Sequence, residues 1–168
     1  MVKTAQTFTL KSSDIGGQFT ETQFANENFG GSGKNISPEL HWENAPKETK
    51  SFAVAMHDLD APTGGSGLWH WITYNIPPSA TSLPTDAGNL SANNLPDGAI
   101  GGLNDVGVKG YVGPCPPAGE LHRYIITVHA LKDTITVNEN ASAALIGFML
   151  SMNTLAKASL LVYGKNSY

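Results

Sequence analysis

The sequence predicts an antiparallel β-rich domain that carries one helix late in the chain. Three observations carry that expectation. Eighteen glycines and ten prolines in 168 residues break the chain too often for long helices and favour short strands joined by turns. The clearest apolar patterns have the period of two that half-buried strands show. Strand and helix never alternate as a parallel sheet requires, so the strands run antiparallel.

The elements follow in order. Thr4 to Leu10 alternates weakly and stops at Ser12-Ser-Asp14, a first strand. From Gly16 to Asn44 the chain is polar and dotted with glycine, with Asn35-Ile-Ser-Pro38 as a turn, and Leu40 and Trp42 restart apolar structure. Ser51 to Leu59 places Phe52, Val54, Met56 and Asp58 on one strand face. Trp69 to Ile76 puts His70, Ile72, Tyr74 and Ile76 in phase, and Pro77-Pro78 ends it. The stretch 79–119 is loop-dominated, with a turn at Leu95-Pro-Asp-Gly98, and loops of that length in a compact domain usually serve function. His122 to Leu131 is the strongest strand, with His122, Tyr124, Ile126 and Val128 facing one way and Arg123, Ile125 and Thr127 the other. Asn140 or Ser142 caps a helix whose Leu145, Phe148, Met152 and Leu155 form a stripe. If that stripe is buried, Phe148→Ala costs about 3–5 kcal/mol. Leu160 to Tyr163 closes the chain as a short strand.

Hydrophobic residues make up 40% and charged residues 14%, which suits one folded domain over residues 1–168. A net charge of −4 without a basic stripe argues against nucleic acid. The single cysteine, Cys115, rules out an intrachain disulfide. No apolar run reaches membrane-spanning length, and Met1-Val-Lys-Thr-Ala-Gln6 lacks the apolar core of a signal peptide. The expected location is cytoplasmic, or periplasmic if a leader has been removed.

Chemistry gathers at strand ends. Asp58 closes one strand before a turn, His70 lies near the start of another, and His122 and Tyr124 share a face beside a glycine- and proline-rich loop. A carboxylate, two imidazoles and a phenol make a small polar pocket rich in hydrogen-bond donors. His41, His57 and His129 read as core or edge residues. Arg123, facing away from His122, reads as a structural ion-pair partner. Two other chemistries use the same residues. Cys115 in the adjoining loop is a candidate nucleophile for a hydrolase with His70 or His122 as base. Asp58, Asp60, His70 and His122 are candidate metal ligands, although their spacing matches no trusted zinc signature.

Taken in order, Gly33-Lys-Asn-Ile-Ser-Pro38, Leu40-His-Trp42, Asp58-Leu-Asp-Ala-Pro62, Leu68-Trp-His-Trp71, Gly110-Tyr-Val-Gly-Pro-Cys-Pro-Pro117 and His122-Arg-Tyr124 resemble the phosphatidylethanolamine-binding protein family, and its bacterial Raf-kinase-inhibitor-like branch in particular. The resemblance implies two antiparallel β-sheets packed together with a few peripheral helices, and an anion pocket at strand ends. It implies pocket roles for Asp58, His70, His122 and Tyr124, a wall at Pro117, and a loop closing over the anion at Tyr111 and Gly113. It also implies a cis peptide at Ala61-Pro62, a non-catalytic role without a cofactor, a small anionic or phosphorylated ligand, a kinase or protease as regulated partner, and a homodimer. Leu59 stands where many eukaryotic members carry proline.

Overall fold

The computed structural model describes residues 6–166. Its strands are β1 (Thr9–Lys11), β2 (Leu40–Glu43), β3 (Ser51–Asp58), β4 (Leu68–Ile76), β5 (Ser82–Leu83), β6 (Ile100–Gly101), β7 (Leu121–Leu131) and β8 (Thr154–Lys165), with one helix, α1 (Ala143–Asn153), between the last two. They form two antiparallel sheets, three-stranded β1-β2-β5 and five-stranded β6-β4-β3-β7-β8. Thr4 and Ala5, the start of the first expected strand, lie outside the described residues.

The main core fills the space between the sheets. Phe52, Val54 and Met56 of β3, Trp71 and Ile76 of β4, and Tyr124, Ile126 and Val128 of β7 meet Leu10, Leu40, Trp42 and Leu83 from the smaller sheet. Each such side chain contributes about 1.5–3 kcal/mol when fully buried, so this layer holds the scaffold rigid beneath the strand ends. The expected phases of β3 and β7 match it.

A second, smaller core lies on the other face of the large sheet, where Ala143, Ile146 and Leu150 of α1 pack on Ala53, Ala55, Ile72 and Tyr74. Ser142 caps the helix, its hydroxyl accepting from the Leu145 N–H at 3.2 Å. The small Ala53 and Ala55 admit the helix closely. Gly147 passes over Trp69 so tightly that a Cβ would sit 3.2 Å from the indole.

This packing corrects the expected helix stripe. Phe148 and Met152 are each 61% exposed, Leu145 is exposed beside them, and Leu155 already belongs to β8. The helix is apolar on nearly every side, so the 3.6-residue period alone could not choose its buried face. Fit against the sheet chose the stripe Ala143, Ile146 and Leu150. β8 is also much longer than the short strand expected at Leu160–Tyr163, since it pairs with β7 from Thr154 onward. Its small and polar first half, Ala156 to Ser159, carries little strand propensity and is ordered by that pairing.

The long middle segment is loop with two short strands and a 3-10 turn at Leu90–Ala92. Asn104, buried within it, stitches it together: its amide donates to the Gly110 carbonyl at 3.0 Å and its oxygen accepts from Val106 and Val108.

Candidate functional site

The end of β3 and the starts of β4 and β7 meet at one end of the large sheet. Register places Asp58 opposite Tyr124 on one side and Leu68 on the other. Asp58 divides its oxygens. Oδ1 accepts from the Asp60 and Ala61 N–H groups at 2.8 and 3.1 Å, shaping the turn that ends β3. Oδ2 accepts from His122 Nδ1 at 2.8 Å. The other His122 nitrogen, Nε2, meets the Glu120 carboxylate at 2.9 Å. Burial opposes charge on this ring, but hydrogen bonds to Asp58 and Glu120 outweigh it, so the His122 pKa is raised. With a carboxylate at each nitrogen, the charged form of His122 is favoured.

His70 reaches the same place by a break in strand geometry. Trp71 lies in the main core, so strict alternation would turn His70 to the outer face. The β3–β4 register shifts between Met56 and His57, which pair with Trp71 and Trp69 respectively. The extra residue is His70, and the bulge turns it inward beside Asp58. The expected phase of His70 with Ile72, Tyr74 and Ile76 is therefore corrected. Ile72 and Tyr74 face α1, while a second shift near Asn75, whose φ is 55°, returns Ile76 to the main core.

The neutral histidine has a defined tautomer. His70 Nδ1 donates to the Val112 carbonyl at 2.9 Å. Its Nε2 lies 3.9 Å from Asp58 Oδ2, too far for a hydrogen bond, and it has no other partner among the described residues. Burial lowers the His70 pKa, only partly offset by the Val112 carbonyl and the Asp58 charge.

Tyr124 completes the cluster. Its ring packs edge-on against His70 with centroids 5.4 Å apart. Its hydroxyl lies within reach of the Asp58 carboxylate, which acts on it through charge and a weak hydrogen bond, but it makes no well-formed hydrogen bond among the described residues. Burial first, then that negative charge, raise its pKa. Gly164 on β8 makes room for the ring, since a Cβ there would lie 2.8 Å from it.

The remaining expected residues are placed differently. The Tyr111 hydroxyl is buried and donates to the Gln23 carbonyl at 2.8 Å. The Gly113 N–H donates to Asn35 Oδ1 at 2.8 Å, and a Cβ at Gly113 would lie 2.0 Å from the Gln23 carbonyl oxygen. Both residues fix the loop to its neighbours. Asn35 clamps it from the other side, its amide donating to the Tyr111 carbonyl at 3.2 Å. Pro117 is exposed at the head of a turn, its carbonyl accepting from the Glu120 N–H at 3.0 Å.

Arg123 faces away, as expected, and holds Asp60 through Nε and Nη2 at 2.9 and 2.7 Å. That pair brings the Asp60 pKa down to about 2. Ala61-Pro62 is trans, against expectation. The turn closes without a cis bond, because Asp58 gathers two backbone N–H groups and Thr63 N–H reaches the Ala61 carbonyl at 2.7 Å. Cys115 is exposed, and three of the site's four imidazole nitrogens are engaged elsewhere: both of His122 with carboxylates, and His70 Nδ1 with Val112.

Glu120 is the site residue that the sequence reading missed. Its signal was position alone, two residues ahead of His122 and so on the same side of an extended chain. A groove of about 450 Å³ opens on the opposite face of the sheet, between α1 and residues including His57, Trp69, His129 and Lys157. It holds none of the Asp58 cluster.

Fold and site together define a two-sheet antiparallel β protein with a histidine–carboxylate–tyrosine cluster at one end of its larger sheet. Residues 11–164 match the model of the phosphatidylethanolamine-binding protein family, and the chain belongs to that family. It is 47% identical over 160 residues to the UPF0098 protein YbcL of Escherichia coli, covering 93% of this chain and 86% of that one. The crystal structure of E. coli YbcL, described as a new member of the mammalian PEBP family, superposes with a TM-score of 0.89 at 44% identity over 94% of this chain and 98% of that one. A homologue of known structure from Chlamydia trachomatis gives a TM-score of 0.77 at 26% identity, covering 95% of this chain and 97% of that one. No helix among the described residues is long and apolar enough to cross a membrane.

Proposed function

We propose that the chain is a non-catalytic binding protein for a small phosphate-type anion, held at the Asp58–His70–His122–Tyr124 cluster. One observation supports this above the others: two buried polar atoms, His70 Nε2 and Tyr124 Oη, lack a well-formed hydrogen bond among the described residues, beside an imidazole whose charged form two carboxylates favour. Leaving such groups unpaired costs about 1–3 kcal/mol each, which an oxygen-rich ligand would recover. Tyr124 offers an O–H donor and His122 a charged N–H. His70 Nε2 takes a proton from the ligand or binds it once protonated.

Phosphate and sulfate titrations by calorimetry, run beside thermal melts, test the reading. Tyr124→Phe should weaken phosphate binding about 5- to 30-fold, at about 1–2 kcal/mol for one donor, with little loss of melting temperature because the hydroxyl makes no well-formed hydrogen bond among the described residues. His122→Ala should abolish measurable binding. Unchanged phosphate affinity in Tyr124→Phe and His122→Ala would sink the proposal.

The exposed Leu145, Phe148 and Met152 of α1 also favour a homodimer in which a second copy covers this apolar face. Light scattering of the wild type and of a Phe148→Glu, Met152→Glu variant decides it. A monomeric wild type overturns that reading.

A further inference from the structure

The solvent-side nitrogen of His122 is already engaged. Glu120 Oε2 holds Nε2 at 2.9 Å, while the Glu120 side chain stays 56% exposed. Asp58, on the other nitrogen, is buried and also committed to the turn after β3. Glu120 is therefore the partner that can leave. Its backbone cannot follow, because the Glu120 carbonyl accepts from Asn166 N–H, the Gly119 N–H reaches the Asn166 carbonyl, and the Asn166 amide donates to the Pro116 carbonyl. Only side-chain torsions are free to move the carboxylate.

A bound oxyanion and the Glu120 carboxylate would claim the same N–H, and they repel each other. Building on the anion-binding reading, we propose that Glu120 is a tethered competitor, an internal carboxylate that must swing into solvent before a ligand anion can take His122 Nε2. Tethering gives it an effective concentration in the millimolar range, so it acts at every ligand level. A simple carboxylate such as acetate exchanges one carboxylate for another and gains little. A phosphate spreads more oxygens and can reach Tyr124 Oη as well as His122. Charge around the imidazole comes from Asp58, Glu120 and the nearby Asp60, with neutral His70 and Tyr124 completing its surroundings.

The test is a titration of wild type, Glu120→Gln and Glu120→Ala with inorganic phosphate and with acetate at pH 6, where Asp58 still favours the charged imidazole. Both variants should bind phosphate about 3- to 10-fold more tightly, and acetate should gain by a similar factor, leaving the preference for phosphate nearly unchanged. Wild-type binding combined with equal or weaker phosphate affinity in both variants overturns the gate while leaving the anion site standing. If no protein binds phosphate although all melt normally, the anion-binding reading falls, and the gate with it.

Discussion

His122 and His129 lie on the same strand, seven residues apart and on opposite faces of the large sheet. Burial pushes both pKa values down. At His122 two carboxylates reverse that push and favour the charged ring. At His129 the neighbours are the Thr154 hydroxyl, 3.0 Å from Nδ1, and Lys157 across the strand pair. Burial first, and Lys157 second, bring the His129 pKa down to about 4. Depth in the fold therefore does not decide an imidazole's charge. The balance between burial and hydrogen-bonded carboxylates does: His70, 3.9 Å from Asp58 but not hydrogen-bonded to it, is still pushed down by burial.

The contrast depends on the cover over each face, and the largest expected effect comes from lifting it. Leu150→Ala should destabilise the domain by about 2–5 kcal/mol, because Leu150 is 1% exposed under α1, and it should let the His129 pKa climb. Phe148→Ala, from the exposed side of the same helix, should change stability by less than about 1 kcal/mol. Urea melts of both variants check the pair.

Acid should separate the two histidines next. His129 has a folded pKa below its unfolded value, so the unfolded chain binds a proton first and stability falls as pH drops from about 6.5 towards 4. The loss reaches about 3 kcal/mol, and His70, lowered in the same direction, adds to it. His129→Gln should remove most of the His129 share when melts at pH 7 and pH 4.5 are compared. A wild-type-sized acid loss in that variant would contradict the assignment.

His122 runs the opposite way. Its folded pKa is raised, so its contribution to stability is complete below about 6.5 and fades as pH climbs through the folded value. His122→Gln should abolish that alkaline loss. Sulfate carries a fixed charge, so its affinity should fall with rising pH in two stages rather than across one window centred near 6.5. The first stage comes as His70 loses its proton at acidic pH, the second above pH 6.5 as His122 does. A single step in calorimetry would mean that one imidazole does not face the anion.

The smallest effect is the finest probe. Lys157→Met removes the second cause of the low His129 pKa and leaves burial, so the titration midpoint followed by NMR should rise by a few tenths of a unit. No shift would put burial alone in charge of that face.

How much of this was legible in the sequence differs from strand to strand. β7 alternates without interruption, so its cluster residues His122 and Tyr124 and its core residues were read on the correct face. β3 was equally readable through Phe52, Val54, Met56 and Asp58. β4 was not, because two bulges break its period and no local residue pattern announced them. The helix was found, but its buried side was not, since apolar residues surround it. Glu120 escaped because its role depends on a contact that only the folded turn creates. The cluster of Asp58, His70, His122 and Tyr124 was legible mainly as a sequence of motifs, and its distances come from the strand register.

The bulge at His70 also bears on which changes of length the protein tolerates. A bulge is one residue more than its partner strand needs. Deleting a single residue between Leu68 and His70 could restore regular pairing with β3, leaving Trp71 in the core and the sheet nearly as stable. The histidine would then be lost from the Asp58 cluster or turned to the outer face. Evolution by insertion and deletion therefore has a short route here to a well-folded descendant whose cluster lacks its second imidazole. In a set of related sequences, the spacing from Leu68 to Trp71 should be held as strictly as the histidine itself.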